Sequence, residues 1–162
     1  MPETRKNAAM LKALRKLFDD APPDESHAQG RQVHLAAATV LQELVRVDQG
    51  HAPEEQVAAA RALTDLFGIE VAETDELLAQ GRERARQLTS YFAPLASLKR
   101  AMTLESRVRF VEHLWHVAYA DSRLDPYEDH FVRKMAHLLY VPNTQCMVGR
   151  SRARAGSRLE AH

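Results

Sequence analysis

Apolar residues recur along the chain at intervals of three and four, without the sustained alternation of strands, which is the period of helices that bury one face. Met10, Leu11, Leu14, Leu17 and Phe18 make a first stripe opposite Lys6, Lys12, Arg15 and Lys16. Pro22-Pro23 breaks it, because adjacent prolines lack amide donors and push the preceding residue out of the helical region. A second helix is predicted from about Glu25 to Asp48, turning Val33, Ala36, Ala37, Val40, Leu41, Leu44 and Val45 inward. A third runs from Pro53 to Phe67, with Gly68 as the left-handed terminator. Thr74-Asp75-Glu76 is read as opening a fourth through Arg86, and Pro94 marks a shorter fifth. Thr103 is expected to cap a sixth that buries Leu104, Val108, Val111, Leu114, Trp115 and Ala118. Pro126 begins a seventh reaching Leu139, and Pro142 starts a last one.

The fold class that follows is all-α, a single compact bundle of about seven or eight helices. Residues 1–24 form a basic amphipathic helix and a proline-rich break, and residues 25–149 form the helical domain. Residues 150–162, rich in Arg, Ala and Ser with little to bury, are expected to fray.

The bundle contains a repeat, with halves at about 30–80 and 103–149. Leu44-Val45-Arg46-Val47-Asp48 through Pro53-Glu54-Glu55 aligns without gaps on Val117-Ala118-Tyr119-Ala120-Asp121 through Pro126-Tyr127-Glu128, at a constant offset of 73 (48 against 121). In both copies a helix ends at an Asp, four residues follow, a proline opens the next helix, and a Glu stands two places later. Asp125-Pro126-Tyr127-Glu128 has the pattern of a capping box, with an acceptor at the N-cap and Glu at the third helical position. Ala52 offers no such side chain in the first copy, where Glu54 and Glu55 favour the helix start through the dipole.

Capping leaves the two Asp residues unexplained, since a carboxylate at a helix C-terminus meets the unfavourable end of the dipole. Two readings stay open. Each Asp accepts hydrogen bonds from amides of its own turn. Alternatively Asp48 with Glu55, and Asp121 with Asp125 and Glu128, supply the hard oxygen ligands that suit a divalent cation such as Ca, Mg or Zn. The spacing is not that of an EF-hand.

These two acidic turns, together with Val111-Glu112-His113-Leu114-Trp115-His116-Val117-Ala118-Tyr119-Ala120-Asp121, resemble the tellurite-resistance TerB-like family over roughly residues 30–150. The resemblance implies an all-helical domain with an internal duplication, acidic residues proposed to bind metal ions, and no established enzymatic activity. Related domains stand at the N-terminus of a membrane-anchored DnaJ-like co-chaperone, which implies a role in protein interaction and stress response. Family loops usually read Asp-Gly and then another acid, whereas this chain has Asp121-Ser122-Arg123 and places Gly50 one position late.

Composition narrows the function further. Hydrophobic residues at 45% and charged residues at 27% describe a chain that folds around a core. Cys146 is the only cysteine, so no internal disulfide forms. The absence of a long apolar run leads us to expect a cytoplasmic protein, at most peripheral to the inner membrane. The net charge of zero hides an acidic stretch from Asp19 to Gln80, with 13 acids against 3 bases, and a basic one over residues 81–162, with 8 against 14. That asymmetry fits packing between helices or an anionic partner.

His113 and His116 share a helix face at i and i+3, and His130 and His137 share one on the next predicted helix, so the four would converge on a transition metal if those faces met. No nucleotide fingerprint or catalytic triad is present, and the basic helices lack the aromatic interleaving of nucleic-acid modules. The expectation is therefore a non-enzymatic accessory domain. It binds a divalent cation weakly and recruits other proteins, with a homodimer open; in the alternative, it is a scaffold whose acids only shape helix ends.

Overall fold

A computed structural model describes residues 23–47 and 53–160. Seven helices span the described residues: α1 (Pro23–Val47), α2 (Pro53–Phe67), α3 (Val71–Gln87), α4 (Phe92–Ala101), α5 (Leu104–Ala118), α6 (Pro126–Leu138) and α7 (Asn143–Glu160). The fold class is all-α, as the periodicity predicts. The amphipathic stripe at Met10–Phe18 lies outside the described residues.

Packing divides the chain into two units, Met1–Gln32 and Val33–His162. The described part of the first is the opening of α1. The second holds the core, with α5 at its centre against α2, α6 and α7. Phe110, Leu114, Trp115 and Val117 of α5 are fully enclosed among Leu41 and Leu44 of α1, Leu63 of α2, Leu98 of α4 and Met135 of α6. A large side chain carries one polar group into this core. The Trp115 indole nitrogen donates to the Cys146 carbonyl at 3.0 Å, so the bond that satisfies it also ties α5 to α7.

Several ends follow the sequence rules. Thr103 accepts from the Ser106 amide at 3.2 Å at the start of α5. Gly68, with φ 65°, ends α2, its amide donating to the Thr64 carbonyl. The equivalent stop of α6 uses Tyr140 at φ 55°: the Val141 amide reaches the Ala136 carbonyl and the Tyr140 amide reaches that of His137, a Schellman turn built on a non-glycine residue.

Three expectations are corrected. α3 begins at Val71 rather than at Thr74, whose hydroxyl instead donates back to the Val71 carbonyl at 2.6 Å inside the first turn. The short link after Gly68 spends only Ile69 and Glu70 before the helix, with Ile69 buried in the core. Leu104 is 44% exposed, being the first residue of α5, and Phe110 takes the buried place instead.

The third correction is the tail. Residues from Arg150 to Glu160 continue α7 as regular helix. Cys146, Gly149, Ala153 and Gly156 recur at helical spacing and face α5. A Cβ on Gly149 would lie 3.4 Å from the Glu112 Cα, Ala153 is buried, and a Cβ on Gly156 would lie 3.9 Å from the His116 ring. Small residues bury this helix by close approach rather than by bulk. Arg150 pairs with Asp129 at 3.3 Å and Arg152 with Glu112 at 3.7 Å, so two of the tail's arginines hold neighbouring helices.

Candidate functional site

The second repeat turn is built almost wholly from its own backbone and acids. α5 closes at Tyr119, and the Ser122 amide returns to the Tyr119 carbonyl at 2.9 Å. Ser122 sits in the left-handed region at φ 63°. An Asp121 carboxylate oxygen accepts the Arg123 amide at 3.0 Å, which holds that turn closed. One residue beyond Leu124, the Asp125 carboxylate accepts the Tyr127 amide at 2.7 Å, while the Asp125 amide donates to Glu128 at 3.4 Å. Together these make the capping box that the sequence predicts around Pro126. Glu128 is 1% exposed.

Asp48, the matching acid of the first copy, lies outside the described residues. Glu55 is described; like Glu128 it is the third residue of a helix starting at proline, and it is 0% exposed. Among the described residues no three His, Cys, Asp or Glu side chains are grouped so as to hold a metal ion. The hydrogen bonds of the second turn's acids follow the alternative in which acids shape the turn.

The histidines divide into two pairs. His130 and His137 are exposed on α6, and the four-histidine convergence is not formed, because α6 points that face to solvent. His113 and His116 instead line a cleft of about 420 Å³ between α2, α5 and α7. From α2 come Glu54, Val57, Ala58, Arg61 and Asp65, from α5 the two histidines, with Tyr119 just past its end, and from α7 Ala153, Gly156 and Ser157. The cleft also reaches the helix ends next to the two repeat turns in sequence. Pro53 and Glu54 follow directly on the first, and Tyr119 and Ala120 lead directly into the second.

His113 stands between α2 and α5, its Nε2 3.8 Å from an Asp65 carboxylate oxygen and its ring 6.1 Å from that of His116. Burial pushes its imidazole down to about 4, and the neighbours His116, Arg109 and Arg61 act in the same direction against the pull of Asp65. His113 is thus uncharged at neutral pH. Arg109 donates to the Asp65 carbonyl at 3.1 Å and fixes the end of α2 against α5. The Ser157 hydroxyl is engaged in donating to the Tyr119 carbonyl at 3.2 Å. The cleft thus combines an apolar floor with a mixed-charge rim, a surface suited to binding.

Arg61 and Asp65 did not appear among the residues expected from sequence. The signal was present: positions 54, 57, 58, 61 and 65 are spaced by three and four, so they form one stripe on α2, beside the core stripe of Ala59, Ala62 and Leu63.

An all-helical bundle with a duplicated acidic helix-turn-helix unit is the class that fold and site define. The family model described as tellurite resistance protein TerB matches residues 34–150. The chain belongs to the TerB family. No curated protein and no solved structure matches it.

Proposed function

We propose that this protein is a tellurite-resistance-associated accessory module that works without catalysis, by recruiting another protein into the cleft between α2, α5 and α7. The observation that carries this reading is the lining of the cleft: Pro53 and Glu54 at the start of α2 and Tyr119 and Ala120 just past the end of α5 meet there with His113 and His116. A partner segment seated against Val57, Ala58 and Ala153 would meet Glu54, Arg61, Asp65 and His116 at its edges, so apolar contact supplies affinity and the rim supplies selectivity. The partner is a protein, a membrane-associated one included, and the setting is the cytoplasm. No helix among the described residues is long and apolar enough to cross a membrane.

A photo-crosslinking residue at Val57, which is 59% exposed, tests this in cells under tellurite stress. Adduct formation that is lost when Arg61→Glu is added supports the reading. Absence of any adduct, with the protein expressed and folded, sinks it.

A second reading retains a weak divalent cation at the acidic turns, and the burial of Glu55 and Glu128 at equivalent positions favours it. Asp48 with Glu55, and Asp121 with Asp125 and Glu128, would hold the ion, which would brace the two acidic turns. Ligand binding to the native state raises the unfolding midpoint by mass action. Thermal unfolding in EDTA, then with calcium, magnesium, zinc or manganese, should show a rise that Asp48→Asn or Asp121→Asn abolishes. A flat response to all four ions discards the cation.

A further inference from the structure

A second groove, of about 450 Å³, lies between α4 and α6 and shares no lining residue with the cleft. Its floor is Leu95 and Leu138, and Tyr91 and Phe92 form one wall. Phe92 is 77% exposed, an unusual place for a large apolar side chain with a concave surface beside it. Lys99 and Lys134 also line it, and each ammonium is placed by an aromatic ring: Lys99 lies 4.7 Å from the Tyr140 ring centroid, and Lys134 lies 5.2 Å from that of Tyr91. Among the described residues that line the groove none is acidic. The carboxylate behind it, Glu43, accepts the Tyr91 hydroxyl at 3.1 Å and is paired with Arg46, so its charge is met from within the fold.

We propose that this groove docks an acidic amphipathic segment of a partner protein, with an apolar anchor between α4 and α6 and carboxylates against Lys99 and Lys134. Charge complementarity selects the acids, since two ammoniums flank an apolar floor without a competing carboxylate. Concavity selects a peptide over a lipid surface, because a groove of this volume takes one or two large side chains, whereas a bilayer is met by protruding ones. The ring contacts reduce the lysines' freedom before binding, which lowers the cost of ordering them in the complex.

The test uses the full chain and a fluorescein-labelled helical peptide carrying Leu and Phe at i and i+4 among Asp and Glu, read by anisotropy. Saturable binding that weakens with added salt is expected, and the Lys99→Glu/Lys134→Glu variant should lose roughly tenfold or more in affinity. Phe92→Ala, at a side chain the core does not use, should weaken binding with the charges intact. A matched peptide with Lys in place of its acids should not bind. Equal affinity for the wild type and the reversed variant, or no saturable binding, overturns the proposal. Binding of phosphatidylglycerol vesicles that the acidic peptide fails to displace overturns it in favour of a membrane surface.

Discussion

Glu55 and Glu128 occupy the same place in the two halves of the molecule: each is the third residue of a helix begun by proline, and each is shut off from solvent, at 0% and 1% exposure. Burying a carboxylate is costly unless its oxygens are engaged. In the second copy the engagement is visible, as Glu128 accepts the Asp125 amide. The repeated sequence therefore encodes a repeated helix start, whose acid is part of the interior.

Replacing Glu128 with Ala should destabilise the fold by about 2–3 kcal/mol, because it removes half of a capping box and leaves a void in the packed interior. Glu128→Gln keeps an acceptor for the Asp125 amide and should cost less, about 1 kcal/mol. Urea unfolding of the two variants checks the order. Equal losses would mean that the negative charge, rather than shape and hydrogen bonding, is what the position requires.

Much of this was legible in the sequence. The seven helices follow from spacing, Asp125-Pro126-Tyr127-Glu128 announces its own capping box, and Gly68 announces its stop. Two kinds of information were not local. Thr74 has the composition of an N-cap, but the link from Gly68 is short enough that α3 begins a turn earlier and back-bonds that hydroxyl. The stripe of Cys146, Gly149, Ala153 and Gly156 lacks bulk, and only the nearness of α5 makes it a buried face. The cleft was not legible: His113 and His116 are read from sequence only as metal ligands with His130 and His137, and their neighbours Arg61 and Asp65 lie on a helix from the other half of the chain.

Ser122 holds φ at 63°, a conformation that costs a side-chain-bearing residue roughly 1 kcal/mol and costs glycine almost nothing. Ser122→Gly should therefore stabilise the protein by about 0.5–1 kcal/mol, offset in part by the greater freedom of glycine in the unfolded chain. Tyr140, at φ 55°, is a less favourable place for the same change, because glycine there also gives up the contact with the Lys99 ammonium. Thermal unfolding should rank Ser122→Gly above wild type and above Tyr140→Gly. A midpoint for Ser122→Gly below that of wild type would show that the serine side chain contributes more than the strain it causes.

The pH dependence of stability should carry the mark of His113. In the unfolded chain its imidazole takes a proton near the usual 6.5, while in the fold burial delays this to about 4. Between those values the unfolded state binds the extra proton, so stability is full above 6.5 and falls as pH drops toward about 4. The loss over that window approaches about 3 kcal/mol as an upper bound. His34, also lowered by burial, adds to the decline in the same direction. His113→Gln should shrink the loss of stability between neutral and mildly acidic buffer, as measured by urea unfolding. An unchanged loss would place the proton uptake elsewhere.

Gly81 sets the approach of α1 and α3. A Cβ there would stand 2.7 Å from the Ala38 carbonyl carbon and 2.8 Å from its oxygen, both backbone atoms that cannot rotate away. In an exposed helix interior, Gly→Ala gains about 1 kcal/mol from backbone entropy, so the sign of Gly81→Ala measures which effect wins. Relieving the overlap requires the two helices to move apart where Gly81 meets the Ala38 backbone, between buried residues on both sides. Overpacking of this kind costs typically 1–3 kcal/mol or more, so we expect net destabilisation of about 1–2 kcal/mol. Denaturant unfolding gives the answer directly: a lower midpoint confirms the close crossing, and a higher one would mean that α1 and α3 stand farther apart in solution than the backbone contact at Ala38 requires.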